Sequence, residues 1–72
     1  MKYITVSNRL KRMATVHLAA CADLGEDPLL QSATSDRRPF DSGLEALAFA
    51  REERPHNYGF CSHCLSGLRW AG

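Results

Sequence analysis

The distribution of apolar and polar positions predicts an N-terminal β-hairpin. Residues 2–6 are β-branched or aromatic, and residues 13–18 form a second apolar stretch that alternates loosely. Short stretches of this composition, separated by polar turn residues, are typical of strands. The intervening turn carries Arg9, Lys11 and Arg12. We therefore expect a hairpin with a basic tip, whose second strand ends just before Cys21.

The main helix is predicted to begin after Ser42. Ser42 stands three residues before Glu45, which is the spacing of a capping box ahead of an apolar run. Three apolar residues at helical spacing are expected to form the core face: Leu44, Leu47 and Ala48. Three more are expected to widen it: Ala46, Phe49 and Ala50. Pro55 cannot continue a helix, so the helix should end by Arg54.

A short C-terminal helix is predicted from Cys61. Apolar residues recur at i, i+3, i+4 and i+7, which is the pattern of an amphipathic helix: Cys61, Cys64, Leu65 and Leu68. Trp70 would then close over the core. The segment of residues 22–38 is irregular, with a helical turn expected at Asp27-Pro28 and an extended or short-strand stretch at residues 37–40. The expected fold class is small α+β.

Composition places the chain among small globular proteins. It has 72 residues, of which 44% are hydrophobic and 24% charged, so we expect one domain over residues 1–72. A core of this size usually needs a disulfide, a metal or a partner subunit. No signal peptide or membrane-spanning run is evident, so the expected compartment is the cytoplasm and no membrane partner is expected. Nine Lys and Arg against eight Asp and Glu give a net charge of +1, which does not by itself indicate nucleic-acid binding.

The cysteines predict a metal site. His17 and Cys21 form an H-x3-C pair, and Cys61 and Cys64 form a C-x2-C pair. Three thiolates and one imidazole are an established four-coordinate ligand set for one Zn²⁺, and they use all three cysteines. An odd cysteine count in a reducing compartment argues against a disulfide framework.

Other interpretations of these residues stay open from the sequence. Cys21 could be a small buried apolar residue, and the C-x2-C pair could be a redox pair or a disulfide. His56, which follows Pro55, could replace His17 as the imidazole ligand. His63 could also do so, although it lies inside the C-x2-C turn.

The motifs together resemble the zinc-binding N-terminal domain of the Ada methyl-DNA repair protein. The resemblance covers roughly residues 14–66, and these residues carry it: His17, Cys21, Phe40, Glu45, Ala46, Leu47, Ala48, Cys61 and Cys64. It implies a small α+β domain held by one zinc ion. In that family a cysteine at the first ligand position accepts a methyl group from a DNA phosphotriester. Here that position is His17, which has no thiolate to alkylate, so the resemblance does not imply methyl transfer.

We expect a non-catalytic binding module rather than an enzyme, because four protein ligands leave no open position on the metal. The first hypothesis is a nucleic-acid-binding or regulatory module in which cations neutralise the DNA or RNA backbone: Arg9, Lys11, Arg12, Arg37 and Arg38. The alternative is a protein-interaction or inhibitor module that binds a larger protein through exposed apolar residues: Leu29, Leu30, Phe60 or Trp70. An alkyl-accepting remnant of DNA repair is a third hypothesis, and no small-molecule substrate is expected.

Overall fold

A computed structural model describes residues 2–62 and 64 of the chain. These residues form a small α+β fold, with a mixed four-stranded sheet and one α-helix. The strands are β1 (Tyr3–Asn8), β2 (Met13–Leu18), β3 (Ser35–Phe40) and β4 (Tyr58–Phe60), in the sheet order β3-β1-β2-β4. The helix α1 spans Gly43–Glu53, and a single 3₁₀ turn spans Ala22–Leu24.

The predicted N-terminal hairpin is confirmed. β1 and β2 pair antiparallel, with Tyr3 opposite Leu18 and Asn8 opposite Met13. The first strand continues two residues beyond the apolar run of residues 2–6, because Ser7 and Asn8 still pair with the second strand. Ser7 is buried in this position.

Two strands of the sheet differ from the sequence-based expectation. β3 is six residues long and pairs antiparallel with β1 along its whole length, although most of its side chains are polar. β4, for which no strand was predicted, pairs parallel with β2. A turn does begin at Asp27-Pro28, where Leu30 N–H bonds to Asp27 O at 3.1 Å, but it does not continue as a helix, and the 3₁₀ turn lies earlier in the chain.

Helix α1 covers one face of the sheet. Ser42 caps it as predicted, since its Oγ accepts a hydrogen bond from the Leu44 N–H at 3.2 Å, although the bond goes to Leu44 rather than to the Glu45 N–H of a capping box. The buried residues between helix and sheet are small or β-branched: Ala14, Val16, Ala46 and Ala50. The buried Thr5 hydroxyl donates to Ala46 O at 2.9 Å and joins the two layers.

The core face of α1 agrees with the predicted one only in part. Ala46 and Ala50 are buried against the sheet and Leu47 packs beside them, as expected. Leu44 is 80% exposed and Ala48 is exposed, so they do not form the core face. Gly43 approaches the sheet closely, because a Cβ added there would lie 3.3 Å from Cζ of Tyr3. The small residues of the helix therefore face the sheet and allow this close approach, while Leu44 faces solvent.

The second face of the sheet packs against the chain that follows β2. Its buried cluster, which we call the second core, consists of Ile4, Cys21, Leu24 and Cys61. Arg37 points to this face, since it lies opposite Val6 in the register, and its Nη1 donates to Leu24 O at 2.8 Å and to Asp27 O at 3.1 Å. The guanidinium thus holds the irregular segment against the sheet. The sheet lies between α1 and this segment.

The outer edge of β3 is hydrogen-bonded by side chains rather than left open. The carboxamide of Gln31 accepts from Arg37 N–H at 3.1 Å and donates to Arg37 O at 2.8 Å, as a neighbouring strand would. Ser32 does the same at Ser35, where its Oγ accepts from the N–H and its own N–H donates to the carbonyl. Pro39 has no N–H to offer. An edge blocked in this way resists pairing with another chain.

Replacing Gln31 by Ala is expected to open this edge. Arg37 would lose both partners of its outward backbone groups, so the free energy of unfolding should fall by about 1–2 kcal/mol. The exposed edge should also raise concentration-dependent association in sedimentation velocity. Leu30→Ala is the control, because Leu30 is 59% exposed and its loss should change neither quantity. Equal behaviour of the two variants would contradict a capping role for Gln31.

The C-terminal helix predicted from Cys61 is not found in the described part of that segment. Cys61 follows β4 directly, with its N–H bonded to Val16 O at 2.8 Å, and Ser62 and Cys64 lie in a turn. The rest of that prediction, including Trp70, lies outside the described residues. Within residues 2–62 and 64, no helix has the length and apolar character that crossing a membrane requires.

Candidate metal centre

The second strand of the hairpin places His17 on the face of the sheet opposite α1. Side chains alternate along a strand, and Val16 belongs to the core beneath the helix, so His17 points the other way. It lies opposite Ile4 in the register, and Ile4 is fully buried. The Nδ1 atom of His17 is also buried. The imidazole is therefore half-buried, with Nδ1 turned toward the second core.

The cysteines reach His17 from two directions. The turn after β2 is closed by a 2.9 Å hydrogen bond from Cys21 N–H to Leu18 O, which brings Cys21 back beneath the strand end. Cys61 arrives from β4, because Val16 pairs with Phe60 in the parallel ladder and the following residues remain adjacent. The two motifs are distant in sequence, and the β2–β4 pairing brings them together.

The four predicted ligands form one compact group. The His17 nitrogen and the three sulfurs of Cys21, Cys61 and Cys64 all lie within 4.8 Å of one another, in an arrangement that could hold a metal ion. Cys21 and Cys61 are each only 6% exposed. Their sulfurs are 3.9 Å apart, far beyond the roughly 2.05 Å of a disulfide bond. All three cysteines carry free thiols, so the disulfide interpretation is not supported here.

The surroundings of Cys64 disfavour its thiolate when no metal is bound. Burial raises the pKa of the Cys64 thiol to about 12, and the neighbouring Cys21 and Cys61 add to the increase. The Leu18 N–H, which donates to Cys64 Sγ at 3.2 Å, opposes it by stabilising the thiolate. Burial, with a smaller contribution from the neighbouring cysteines, therefore keeps Cys64 protonated at neutral pH when no metal is bound. A divalent cation among the sulfurs would reverse this balance and displace the protons.

The structure also places the competing imidazoles. His56 is exposed in the turn after α1 and is not a member of the group. His63 lies outside the described residues. Of the imidazoles that the structure describes, it is His17 that accompanies the three thiols. Leu18 was missed as a site residue because it contributes through its backbone N–H, and no side-chain pattern signals that.

The five cations predicted to bind nucleic acid do not share a surface. Arg9 forms a 2.7 Å ion pair with Asp36 and donates to Ala33 O. Arg37 points to the face of the sheet that carries the second core and is bonded to backbone carbonyls there. Arg38 points to the opposite face, which α1 covers, and lies 5.3 Å above the Phe49 ring. Two others, Lys11 and Arg12, are exposed at the hairpin tip.

Comparison with known proteins adds no family assignment. No protein-family description, curated protein or solved structure matches this chain. The class of site is therefore defined by its own geometry, a His/Cys3 group in a small α+β domain.

Proposed function

We propose that this chain is a zinc-stabilised, non-catalytic binding module. The observation that carries the proposal is the convergence of one imidazole and three thiols, all within 4.8 Å, between the sheet and its covering segment. A tetrahedral ion with Zn–S distances of about 2.3 Å separates two sulfur ligands by about 3.8 Å. The 3.9 Å between Cys21 and Cys61 fits that separation without rearrangement. Soft thiolate ligands with imidazole favour zinc over magnesium or calcium.

A structural role for the metal follows from the ligand count. Catalytic zinc sites keep an open position beside three protein ligands, whereas four protein ligands complete a tetrahedron. Cys21 and Cys61 are also buried in the second core, where they pack against Ile4 and Leu24. We therefore propose that zinc stabilises the fold and that the exposed surface carries the function.

The resemblance to the Ada domain enters this proposal only through the metal site. Four ligands in the same order along the chain support a related way of holding one zinc ion. His17 contributes a nitrogen at the position where that family has its acceptor thiolate. An alkyl-accepting role therefore has no support at that position, and we do not include methyl transfer in the proposal.

The proposed partner is the phosphate backbone of a nucleic acid. Support comes from exposed cations at the hairpin tip, Lys11 and Arg12, and from the absence of any ion pair from them to a described residue. A protein partner is the second candidate, favoured by the 80% exposure of Leu44 and the 59% exposure of Leu30. The two candidates differ in salt dependence, because phosphate binding weakens steeply as salt rises.

Mass spectrometry tests the metal. We expect the native mass of the freshly purified, reduced protein to exceed the denatured mass by one zinc ion less the protons that it displaces. The excess should disappear in the Cys61→Ser variant and persist in His56→Ala, which removes an imidazole outside the group. A folded wild-type sample whose native and denatured masses agree would contradict the proposal.

A further inference from the structure

The turn between β1 and β2 presents cations that the fold does not use. Lys11 and Arg12 are exposed, and their side chains make no hydrogen bond or ion pair with any described residue. Leu10 beside them is 77% exposed. In contrast, Arg9 in the same turn is held by Asp36 and by Ala33 O. Removing the side chain of Lys11 or Arg12 would therefore break no hydrogen bond or ion pair with the described residues.

The backbone of this turn is nevertheless well fixed. Asn8 Oδ1 accepts from Lys11 N–H at 3.0 Å, and Asn57 Nδ2 donates to Arg12 O at 3.4 Å from the turn after α1. Arg9 ties the base of the turn to the entrance of β3, with its Nη1 2.7 Å from Asp36 Oδ2. The two free cations thus project from a preorganised support, so little backbone entropy is lost when they bind a ligand.

Arg12 also occupies an unfavourable backbone conformation. Its φ is +52°, in the left-handed region that glycine adopts readily and a side chain with a Cβ does not. Strain of this kind tends to occur at functional sites. Here the residue that bears it is an exposed cation whose side chain has no partner among residues 2–62 and 64, so packing against them does not explain why this position holds arginine.

We propose that this tip, formed by Lys11 and Arg12, is the surface that binds the phosphate backbone of nucleic acid. The inference rests on the proposed function and assigns its binding surface. An arginine guanidinium matches phosphate geometry with paired donors, and lysine adds a point charge. One exposed leucine offers too little apolar area to hold the chain at a membrane, which usually needs two independent anchors.

The position of the tip separates this surface from the metal. Arg12 directly precedes β2, and His17 lies five residues further on near the end of that strand, or about 17 Å at the rise of a strand. The zinc ligands therefore lie toward the other end of the sheet from the bound phosphates. The metal supports the sheet that carries the tip and does not contact the nucleic acid.

Replacement of Arg12 by Gly separates binding from stability. The backbone strain disappears, so we expect a higher melting temperature than that of the wild type. Binding to a fluorescein-labelled 20-base-pair DNA duplex, followed by anisotropy at low salt, should weaken by about tenfold, and the salt dependence of log K should lose about one unit of slope. If the Arg12 side chain had only a structural role, its removal would not raise the melting temperature and weaken binding at the same time.

Lys11→Ala serves as the second variant, and it should weaken binding in the same way without a change in melting temperature. Lys2→Ala is the charge-matched control, because it removes one exposed cation at the opposite end of β1. It should bind the duplex as the wild type does. Loss of affinity in the two tip variants but not in Lys2→Ala would support the inference.

Two failures are distinguishable in this experiment. If the wild type does not bind the duplex or an RNA of equal length even at low salt, the nucleic-acid partner itself is wrong. If the wild type binds and Arg12→Gly binds equally well, the inference about the tip alone is overturned. Arg12-dependent binding to anionic phosphatidylserine vesicles without duplex binding would assign the tip to a lipid surface instead.

Discussion

Removal of the metal is expected to unfold this domain. The largest side chains that are fully buried among the described residues are Ile4, Val16 and Thr5, which is a small core for 72 residues. A core of this size contributes only about 3–5 kcal/mol of net stability, whereas structural zinc contributes about 10–16 kcal/mol of apparent binding free energy in zinc-finger peptides. The second core is built around Cys21 and Cys61, so the thiols lose their common partner when the metal leaves.

Chelation should therefore collapse the far-UV circular dichroism and the dispersion of the amide NMR spectrum together. Re-addition of zinc to the reduced protein should restore both, because folding and metal binding are one equilibrium. A dispersed spectrum that persists in excess chelator would show that the apolar core suffices without metal. The sheet would then have to be stabilised mainly by the α1 side, around Val16 and Ala46.

Single ligand substitutions are expected to have the same effect. Cys61→Ser, Cys64→Ser and His17→Ala each leave three ligands in a site that needs four, and each should abolish folding at neutral pH. His56→Ala is the matched control for the imidazole, because His56 is exposed and outside the group. We also expect His63→Ala to fold, and an unfolded His63→Ala beside a folded His17→Ala would reassign the nitrogen ligand.

The sequence was sufficient for the features that local patterns encode. The hairpin follows from two apolar stretches around a polar turn, and its register needs no distant contact. The H-x3-C and C-x2-C spacings each fit a turn, so the four ligands could be proposed before their convergence was known. The Ser42 cap is likewise a local signal, and the hydrogen bond to Leu44 N–H confirms it.

Features that depend on the partner across the fold could not be predicted in the same way. β3 has a polar sequence because it is an edge strand whose pairing with β1 depends on backbone groups. β4 is three residues long and acquires strand character only beside β2. Arg37 and Arg38 were predicted to act on one surface because they are adjacent in the chain, although successive residues of a strand point to opposite faces. One bonds to carbonyls and the other lies over an aromatic ring.

The face of α1 is the most informative error. Hydrophobicity placed Leu44 at the centre of the core face and Ala46 and Ala50 at its margin, but the helix–sheet contact is made by Gly43, Ala46 and Ala50. Thr5 already fills the space at the centre of the sheet and donates to the helix backbone. Only small side chains at this contact let the helix lie close to the strands. Hydropathy reports how apolar a side chain is and not how large it is, so it could not identify these positions.

Substitution of Ile4 by Ala is expected to lower stability strongly. Ile4 is fully buried, lies opposite His17 and contacts the cluster that contains Cys21 and Cys61. Removing a buried isoleucine side chain in this way costs about 2–5 kcal/mol, as lost transfer free energy and as a cavity. Because folding and zinc binding are coupled, a loss of about 3 kcal/mol should weaken the apparent zinc affinity by roughly a hundredfold.

Leu44→Ala is the control that separates hydropathy from position. Leu44 is 80% exposed, so its truncation should change the free energy of unfolding by less than about 0.5 kcal/mol. Both variants lose apolar side-chain atoms, and both should be measured by urea unfolding of the zinc-loaded protein and by competition for zinc with a chelator. A larger loss for Leu44→Ala than for Ile4→Ala would mean that α1 packs with the face that its hydropathy indicates. The expected result, a larger loss of stability for Ile4→Ala, would show that the second core and its zinc ligands pack against Ile4.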